Sequence, residues 1–233
     1  MIKQIKSIVP PCPIFGECGG CVYQDIPYKE ELRIKESLLK DLLKENIDIP
    51  KGAFDAIVAS PLEYHYRNRL DLKLKRTKNR DVFIGFSPKT KRGVVPADEC
   101  FIAIDSISEF IPELKKRAIA KLPEKKYSQA NLVVRTGDDK RVFWGGIGRK
   151  SNRLNEDDYL WTVIRNKKIF YSLDTFFQAN LSILPALFDK IRSFRIWGKK
   201  CIFYDLYGGV GLFGLGLCDK AKRVVLIEEC KPA

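Results

Sequence analysis

Apolar residues recur near the start of the chain with the spacing of an amphipathic helix. Between residues 28 and 43, Tyr28, Leu32, Leu39 and Leu43 share one face, and basic side chains lie on the rest of the surface: Lys29, Arg33, Lys40 and Lys44. Apolar positions three and four residues apart are typical of a helix. The residues before this segment are rich in cysteine, proline and glycine, which predicts irregular backbone there.

The apolar period changes to two between residues 56 and 171. In residues 69–75, three leucines alternate with charged side chains, which predicts a strand with one buried and one charged face. Further strands are predicted at residues 82–86, 132–135, 142–144, 160–164 and 169–171. A helix with Ile104, Ile107, Ile111 and Leu114 on one side interrupts them. Short strands joined by tight turns indicate an α+β unit with an antiparallel, partly helix-covered sheet.

A third pattern follows residue 175. A helix is predicted over residues 181–191, and a short apolar run over 201–206 contains Asp205 near its end. A glycine-rich turn at 208–216 and a second apolar run at 224–227, closed by Glu228, complete the pattern. Strand, glycine loop, helix and strand predict the opening of a doubly wound α/β, Rossmann-like fold. One such unit cannot close a parallel sheet that is covered on both faces, so we expect an incomplete domain, continued in further sequence or completed by a second polypeptide.

These changes of pattern divide the chain into three predicted parts. Residues 1–50 form a cysteine-rich segment and a helix, residues 51–172 a central antiparallel-sheet domain, and residues 173–233 the first part of a Rossmann-like domain. The sequence has no run of about 18 apolar residues that could span a bilayer. Its N-terminus is too short and too polar for a secretory signal. We therefore expect a cytoplasmic protein with no membrane partner.

The charge of the chain indicates a polyanionic partner. Lys and Arg total 42 against 29 Asp and Glu, for a net charge of +13, while 45% hydrophobic residues permit a folded core. Such an excess favours nucleic acid or an anionic membrane surface.

The densest basic and aromatic segment is residues 64–80, which contains the single histidine, His65. We interpret His65 as a solvated turn residue, because one histidine cannot build a metal site. Charged residues usually form a solvated face, but this one-sided charge favours contacts with nucleic-acid phosphates. The predicted contact residues are Arg67, Arg69, Arg76, Lys78 and Arg80.

Three cysteines close together predict a metal centre in the N-terminal segment. Cys12, Cys18 and Cys21 form a C-x5-C-G-G-C pattern, in which two glycines let the backbone fold tightly around one centre. Cys100 is the best candidate for a fourth ligand. Four cysteines also suit zinc, but zinc sites usually draw on two C-x2-C pairs and only Cys18 and Cys21 have that spacing. The spacing therefore favours a 4Fe-4S cluster over zinc.

The other three cysteines are interpreted as small core residues, because the surroundings of Cys201, Cys218 and Cys230 are apolar or helical.

A glycine-rich turn at the end of a predicted strand indicates a nucleotide-like ligand. Residues 205–211 read Asp-Leu-Tyr-Gly-Gly-Val-Gly, and Glu228 closes the next strand. Glycines at this place let the backbone approach a ligand, and an acid after the second strand can accept hydrogen bonds from ribose hydroxyls. The pair fits an adenosine-containing cofactor. The segment at 176–180, Phe-Phe-Gln-Ala-Asn, predicts no more than the start of a helix.

Four motifs in one order carry a family resemblance. They are the cysteine pattern with Gln24 just beyond it, Tyr-Arg-Asn-Arg at 66–69, Phe-x-Gln-x-Asn at 176–180 and the glycine motif at 205–211. From about residue 12 to residue 233 the chain resembles the RNA 5-methyluridine methyltransferases that modify 23S ribosomal RNA or transfer RNA. The resemblance implies a 4Fe-4S cluster on Cys12, Cys18, Cys21 and Cys100. It also implies S-adenosylmethionine held by Gln178, Tyr207 and Glu228, beside Gly209 and Gly211 of the loop.

The chain departs from the family pattern at two positions. The family usually has Cys where this chain has Gly208, and often has a polar Asn or Thr where this chain has Leu212. The second departure implies that one hydrogen bond to the cofactor is missing.

The family reaction implies what this chain does and what it lacks. A cysteine thiolate adds to carbon 6 of uracil, and carbon 5 then accepts the methyl group. A glutamate-assisted base removes the carbon 5 proton, which breaks the bond between carbon 6 and sulfur and frees the enzyme. Both catalytic groups lie beyond the second strand of the methyltransferase fold, so we expect this chain to be an N-terminal portion without them and inactive alone. The expected substrate is 23S ribosomal RNA rather than transfer RNA. The alternative is a non-catalytic RNA-binding iron–sulfur protein left by loss of the catalytic half.

Overall fold

The first regular element is a helix that buries none of its residues. The computed structural model describes residues 7–90, 92–122, 128–147 and 159–229, so the interpretation of Cys230 falls outside the described residues. Helix α1 spans Tyr28–Asn46, a few residues longer than predicted, and Leu38, Leu39 and Leu42 along it are 52–59% exposed. The amphipathic pattern therefore predicted the helix, but its apolar residues do not face a core.

An antiparallel sheet forms the centre of the molecule, as predicted. Its strands are β1 (Arg69–Arg76), β2 (Val82–Phe86), β3 (Val95–Pro96), β4 (Gln129–Thr136) and β5 (Val142–Ile147). Their order is β3-β2-β1-β4-β5, and every neighbouring pair is antiparallel. The leucines of β1 face one side of this sheet and are buried, so the period of two was interpreted correctly.

The helix predicted around Ile104–Leu114 is two helices, α2 (Asp105–Ser108) and α3 (Ile111–Lys121). Pro112 lies in the first turn of α3, where its missing N–H costs no helical hydrogen bond, and this position favours a new helix start. Ile107, Ile111 and Leu114 are fully buried against the leucine face of β1. These contacts form the first of two cores.

Two predicted strands do not join the central sheet. Strands β6 (Leu160–Ile164) and β7 (Lys167–Tyr171) form a separate antiparallel hairpin. Arg165 and Asn166 in its turn have φ of 49° and 63°, which suits the two-residue turn of a twisted hairpin. The hairpin packs into a second core with Phe177, Phe188 and Leu212, so this core draws residues from both sides of residue 173.

The last elements have the predicted Rossmann-like order. Helix α4 (Leu184–Ser193) precedes strand β8 (Ile202–Leu206), helix α5 (Leu212–Leu217), a 3-10 turn (Cys218–Lys220) and strand β9 (Arg223–Ile227). Strands β8 and β9 are parallel. One face of β8 carries Ile202, Tyr204 and Leu206 and is 46–58% exposed. None of the helices in the described ranges is long and apolar enough to cross a membrane.

Candidate cofactor and cluster sites

The four predicted cysteine ligands line one cavity of about 250 Å³, which we call the cysteine cavity. Cys12, Cys18 and Cys21 reach it from the N-terminal segment, and Cys100 reaches it from the loop between β3 and α2. The structure therefore brings together residues that are far apart in sequence. Among the described residues, no group of three or more His, Cys, Asp or Glu side chains is arranged to hold a metal ion.

Backbone contacts with the loop after β2 hold the N-terminal part of the cysteine cavity. The N–H of Gly19 donates to the carbonyl of Ser87 at 2.9 Å, and a Cβ on Gly19 would lie only 3.2 Å from that oxygen. A side chain at this position would require the facing backbone to shift by a few tenths of an ångström. The buried Gln24 adds a second contact, since its Oε1 accepts a 3.3 Å hydrogen bond from the N–H of Cys12.

Burial favours the protonated thiol at three cysteines of the cysteine cavity, Cys18, Cys21 and Cys100. It raises the pKa of Cys18 and of Cys21, and it raises the pKa of Cys100 to about 11. The backbone N–H groups of Ile102 and Ala103 oppose the shift at Cys100, because they donate to its sulfur. Hydrogen-bond donors aimed at a sulfur favour a thiolate, and bound metal cations favour it much more.

The Tyr-Arg-Asn-Arg motif connects the cysteine cavity to the Phe-x-Gln-x-Asn segment. The N–H of Arg67 donates to the carbonyl of Ile102 at 2.7 Å, and the N–H of Asn68 donates to the carbonyl of Ala179 at 2.9 Å. Arg67 also lines the cysteine cavity, and its positive charge lowers the pKa of Cys21, against the larger effect of burial. The motif is thus a structural bridge between two predicted sites.

The Phe-x-Gln-x-Asn segment is an ordered turn before α4. Phe177 is buried and stacks on Tyr171 with ring centroids 4.2 Å apart. Asn180 closes the turn, because its Oδ1 accepts a 3.0 Å hydrogen bond from the N–H of Ser182. This turn explains why α4 begins three residues later than predicted. Gln178 lies between these two anchors and is half-buried.

A buried arginine that the sequence analysis did not single out positions the same segment. Arg135 is fully buried on β4, and its Nη1 donates to the carbonyls of Ser172 and Thr175 at 2.7 and 2.8 Å. Its guanidinium lies 4.5 Å from the ring centroid of Tyr171, and burial lowers its pKa to about 10. The available signal was a cation directly after the apolar run Leu132–Val134.

The glycine motif turns the chain sharply between β8 and α5. Gly209 and Gly211 have φ of 54° and 80°, a region that favours glycine, and Tyr207 before them has φ of 55° and is 93% exposed. Asp205 is buried beneath the turn, where its Oδ2 accepts a 2.6 Å hydrogen bond from the N–H of Gly214. The motif therefore presents an exposed aromatic ring at the carboxyl end of β8.

Glu228 lies beside the same turn from the end of β9. Its Oε2 accepts a 2.8 Å hydrogen bond from the N–H of Gly209. A carboxylate has further lone pairs that can accept hydrogen bonds. Leu212, one of the two departures from the family pattern, is only 5% exposed and belongs to the second core.

The residues predicted to contact nucleic acid lie in different surroundings. Arg67 donates from Nε to the carbonyl of Arg69, and Arg69 forms a fork on Asp71 and also donates to the carbonyl of Leu173. Arg76 donates to the carbonyl of Leu122 at 2.6 Å. Lys78 and Arg80 lie in the turn between β1 and β2.

His65 is 2.6 Å from the carboxylate of Asp105, and both side chains are exposed, in keeping with a turn residue. Cys201 and Cys218 are half-buried.

Comparison with known proteins gives relatives and a fold. No family model matches the chain. It is 28% identical to the tRNA (uracil(54)-C(5))-methyltransferase of Pyrococcus furiosus, over 92% of this chain and 58% of the relative. It is 27% identical to the 23S rRNA (uracil(1939)-C(5))-methyltransferase of Dichelobacter nodosus, over 96% of this chain and 57% of the relative. The structure of Pyrococcus abyssi tRNA (uracil-54, C5)-methyltransferase in complex with S-adenosyl-L-homocysteine has the same fold, with a TM-score of 0.68 and 21% identity over 91% of this chain and 59% of that chain. The chain spans 56–61% of the length of other curated relatives.

Proposed function

Because this chain is a homologue of the RNA uracil-5 methyltransferases, we propose that it forms part of an S-adenosylmethionine-dependent enzyme that makes 5-methyluridine in RNA. The observation that carries the proposal is the contact between Gly209 and Glu228. It joins a glycine turn after one parallel strand to an acid after the next, which is where Rossmann-like folds bind adenosine-containing cofactors. The proposed substrate is 23S ribosomal RNA, and transfer RNA is the alternative that an assay must separate.

The proposed cofactor contacts follow from the groups around the glycine turn. Glu228 accepts hydrogen bonds from the ribose hydroxyls, and the exposed ring of Tyr207 packs against the cofactor. Gly209 and Gly211 let the backbone approach it closely. Gln178 contributes its side-chain amide from the turn before α4. Support for S-adenosylmethionine comes from the product-like ligand named for the Pyrococcus abyssi enzyme.

The proposed ligands of a 4Fe-4S cluster are Cys12, Cys18, Cys21 and Cys100. All four line the cysteine cavity, although no group of three or more His, Cys, Asp or Glu side chains among the described residues is arranged to hold a metal ion. Four cysteine thiolates are the usual ligands of a 4Fe-4S cluster, whereas one zinc ion needs all four sulfurs about 2.3 Å away. When bound, the cluster would supply iron–sulfur bonds that tie the N-terminal segment to the loop before α2.

We propose that the nucleophile and the base of the reaction lie outside these 233 residues. Four cysteines line the cysteine cavity, and neither Cys201 nor Cys218 belongs to the glycine turn. Without a nucleophile at carbon 6, carbon 5 of uracil is a poor acceptor of the methyl group, so the rate should fall by several orders of magnitude. The exposed apolar face of β8 supports this proposal, since further strands and helices would cover it.

The test measures cofactor binding and methyl transfer separately. Cluster-loaded chain should bind S-adenosylmethionine in calorimetry, and Glu228→Gln or Gln178→Ala should weaken that binding about tenfold or more. With labelled cofactor and unmodified 23S ribosomal RNA or transfer RNA, the chain alone should form no 5-methyluridine. Turnover by the chain alone would contradict the proposed place of the catalytic groups.

The same experiment separates the rival function. A non-catalytic RNA-binding iron–sulfur protein would bind RNA and hold a cluster, but it would not bind S-adenosylmethionine. Glu228→Gln would then change nothing. If anaerobically purified protein contained zinc instead of iron and sulfide, the proposed cluster would be contradicted. The proposed cofactor site would not be affected by that result.

A further inference from the structure

The outer face of the central sheet carries two rows of polar and basic side chains. Lys75 on β1 is paired with Phe83 on β2 and with Gln129 on β4, and Lys73 is paired with Gly85 and Asn131 in the same way. Residues paired across antiparallel strands project from the same face. These rows therefore lie together, on the side opposite the buried leucines of β1 and helix α3.

A groove of about 510 Å³ runs along these rows, which we call the sheet groove. Its polar lining consists mainly of Lys73, Lys75, Arg92, Gln129 and Asn131, and none of its lining residues is acidic. In the described ranges of the chain, no ion pair involves Lys73, Lys75 or Arg92. Three cations for which the described residues provide no ion-pair partner favour an anionic occupant.

An aromatic ring at the end of one row narrows the class of that occupant. Phe83 is 40% exposed beside Lys75. An exposed ring within a basic surface can stack on an unpaired base, whereas the bases of a duplex are already stacked. The side-chain amides of Gln129 and Asn131 can both donate to and accept from base edges. The cations can therefore bind phosphates, the ring can stack on the face of a base, and the amides can form hydrogen bonds with its edge.

We infer that the sheet groove binds an unpaired, single-stranded segment of RNA. This inference rests on the proposed function, since it names the surface that would hold the RNA substrate outside the reacting uridine. The groove adjoins the cysteine cavity, because Ser87 lines both and its carbonyl accepts the hydrogen bond from Gly19. Bound RNA would therefore pass close to the N-terminal segment that carries Cys18 and Cys21.

The test compares two triple variants that each lower the net charge by three. Lys73, Lys75 and Arg92 are changed to Gln in one, and the exposed Lys29, Lys44 and Lys116 on helices α1 and α3 are changed to Gln in the control. Binding of an unstructured RNA oligonucleotide is followed by fluorescence anisotropy at several salt concentrations. The groove variant should lose about two units of the slope of log affinity against log salt, because single strands release about 0.7 counterion per phosphate contact. The control should keep nearly all of its slope.

A further variant separates stacking from charge. Phe83→Leu should weaken binding about fivefold or more without changing the salt slope, since base stacking is not ionic. Equal slopes for the two triple variants, or no effect of Phe83→Leu, would overturn the inference. So would wild-type chain that binds anionic vesicles but no RNA. Calorimetry with S-adenosylmethionine on the same preparations shows whether the proposed function fails as well, and thermal melting shows that each variant is folded.

Discussion

The backbone N–H of Asn68 donates a 2.9 Å hydrogen bond to the carbonyl oxygen of Ala179. One residue earlier, the N–H of Arg67 donates to the carbonyl of Ile102, which is two residues beyond Cys100. Adjacent peptide groups thus contact the cysteine-bearing loop on one side and the Phe-x-Gln-x-Asn segment on the other. A movement of the loop that contains Cys100 can therefore be transmitted through the backbone of residues 67 and 68 to the segment that contains Gln178.

Removal of the proposed cluster should therefore loosen this bridge. We expect treatment with an iron chelator to raise the amide exchange rates of Tyr66 and Arg67 on the order of tenfold, because both N–H groups donate to Ile102 in the loop that Cys100 anchors. Hydrogen–deuterium exchange with mass spectrometry measures this. The amides of the β6–β7 hairpin provide the control and should not change. Equal exchange with and without iron would mean that the cluster does not order the bridge.

Replacement of the buried Arg135 should destabilise the fold. In Arg135→Met, the carbonyls of Ser172 and Thr175 lose charged donors at 2.7 and 2.8 Å, so the free energy of unfolding should fall by about 2–4 kcal/mol. Urea denaturation measures it. Arg117→Met removes an exposed pair with Glu113 on α3 and should change the free energy of unfolding little. A similar cost for both variants would show that the hydrogen bonds of Arg135 do not hold the loop.

The two glycines with positive φ in the turn after β8, Gly209 and Gly211, should differ in their tolerance of alanine. Gly211 has φ of 80°, and a Cβ there would lie 3.0 Å from Leu226, whereas Gly209 has φ of 54° and open space around it. Gly211→Ala should therefore cost about 2 kcal/mol or more and Gly209→Ala about 1 kcal/mol. Thermal and urea unfolding of the two variants give the comparison. The reverse order would contradict the backbone conformation described for this turn.

A surface ion pair should give a small and pH-dependent stabilisation. Arg192 on α4 donates two hydrogen bonds of 2.6 and 2.7 Å to Asp219, which hold the pKa of that carboxyl at about 2, below its ordinary 3.8. The stabilisation is therefore present above about pH 4 and is lost as the pH falls through 2. A double-mutant cycle of Arg192→Ala and Asp219→Ala should give about 0.5–1 kcal/mol at neutral pH. A coupling energy that persists at pH 2 would rule out the carboxylate as its source.

The sequence by itself determined the elements whose signal is local. The alternation in residues 69–75 predicted β1 because side chains on a strand project to opposite faces in turn. The glycines at 209 and 211 predicted the turn after β8, because that turn needs positive φ. The cysteine spacing and the glycine motif were also visible in the sequence, whereas the roles of their residues stay predictions.

The tertiary structure alone decided which of these residues meet. Cys100 lines the cysteine cavity only because the loop after β3 packs against the N-terminal segment, and no local period encodes that pairing. The strands β6 and β7 have the same pattern as β1, yet they form a separate hairpin, because a period of two sets which side chains are buried but not which sheet a strand joins. Arg69 and Arg135 are both cations in the sequence, but their guanidinium groups bind the loop before Phe176. Burying a charged side chain costs free energy unless hydrogen bonds offset the loss of water. The sequence shows the charge, but only the folded structure shows which carbonyl oxygens accept the hydrogen bonds of these two arginines.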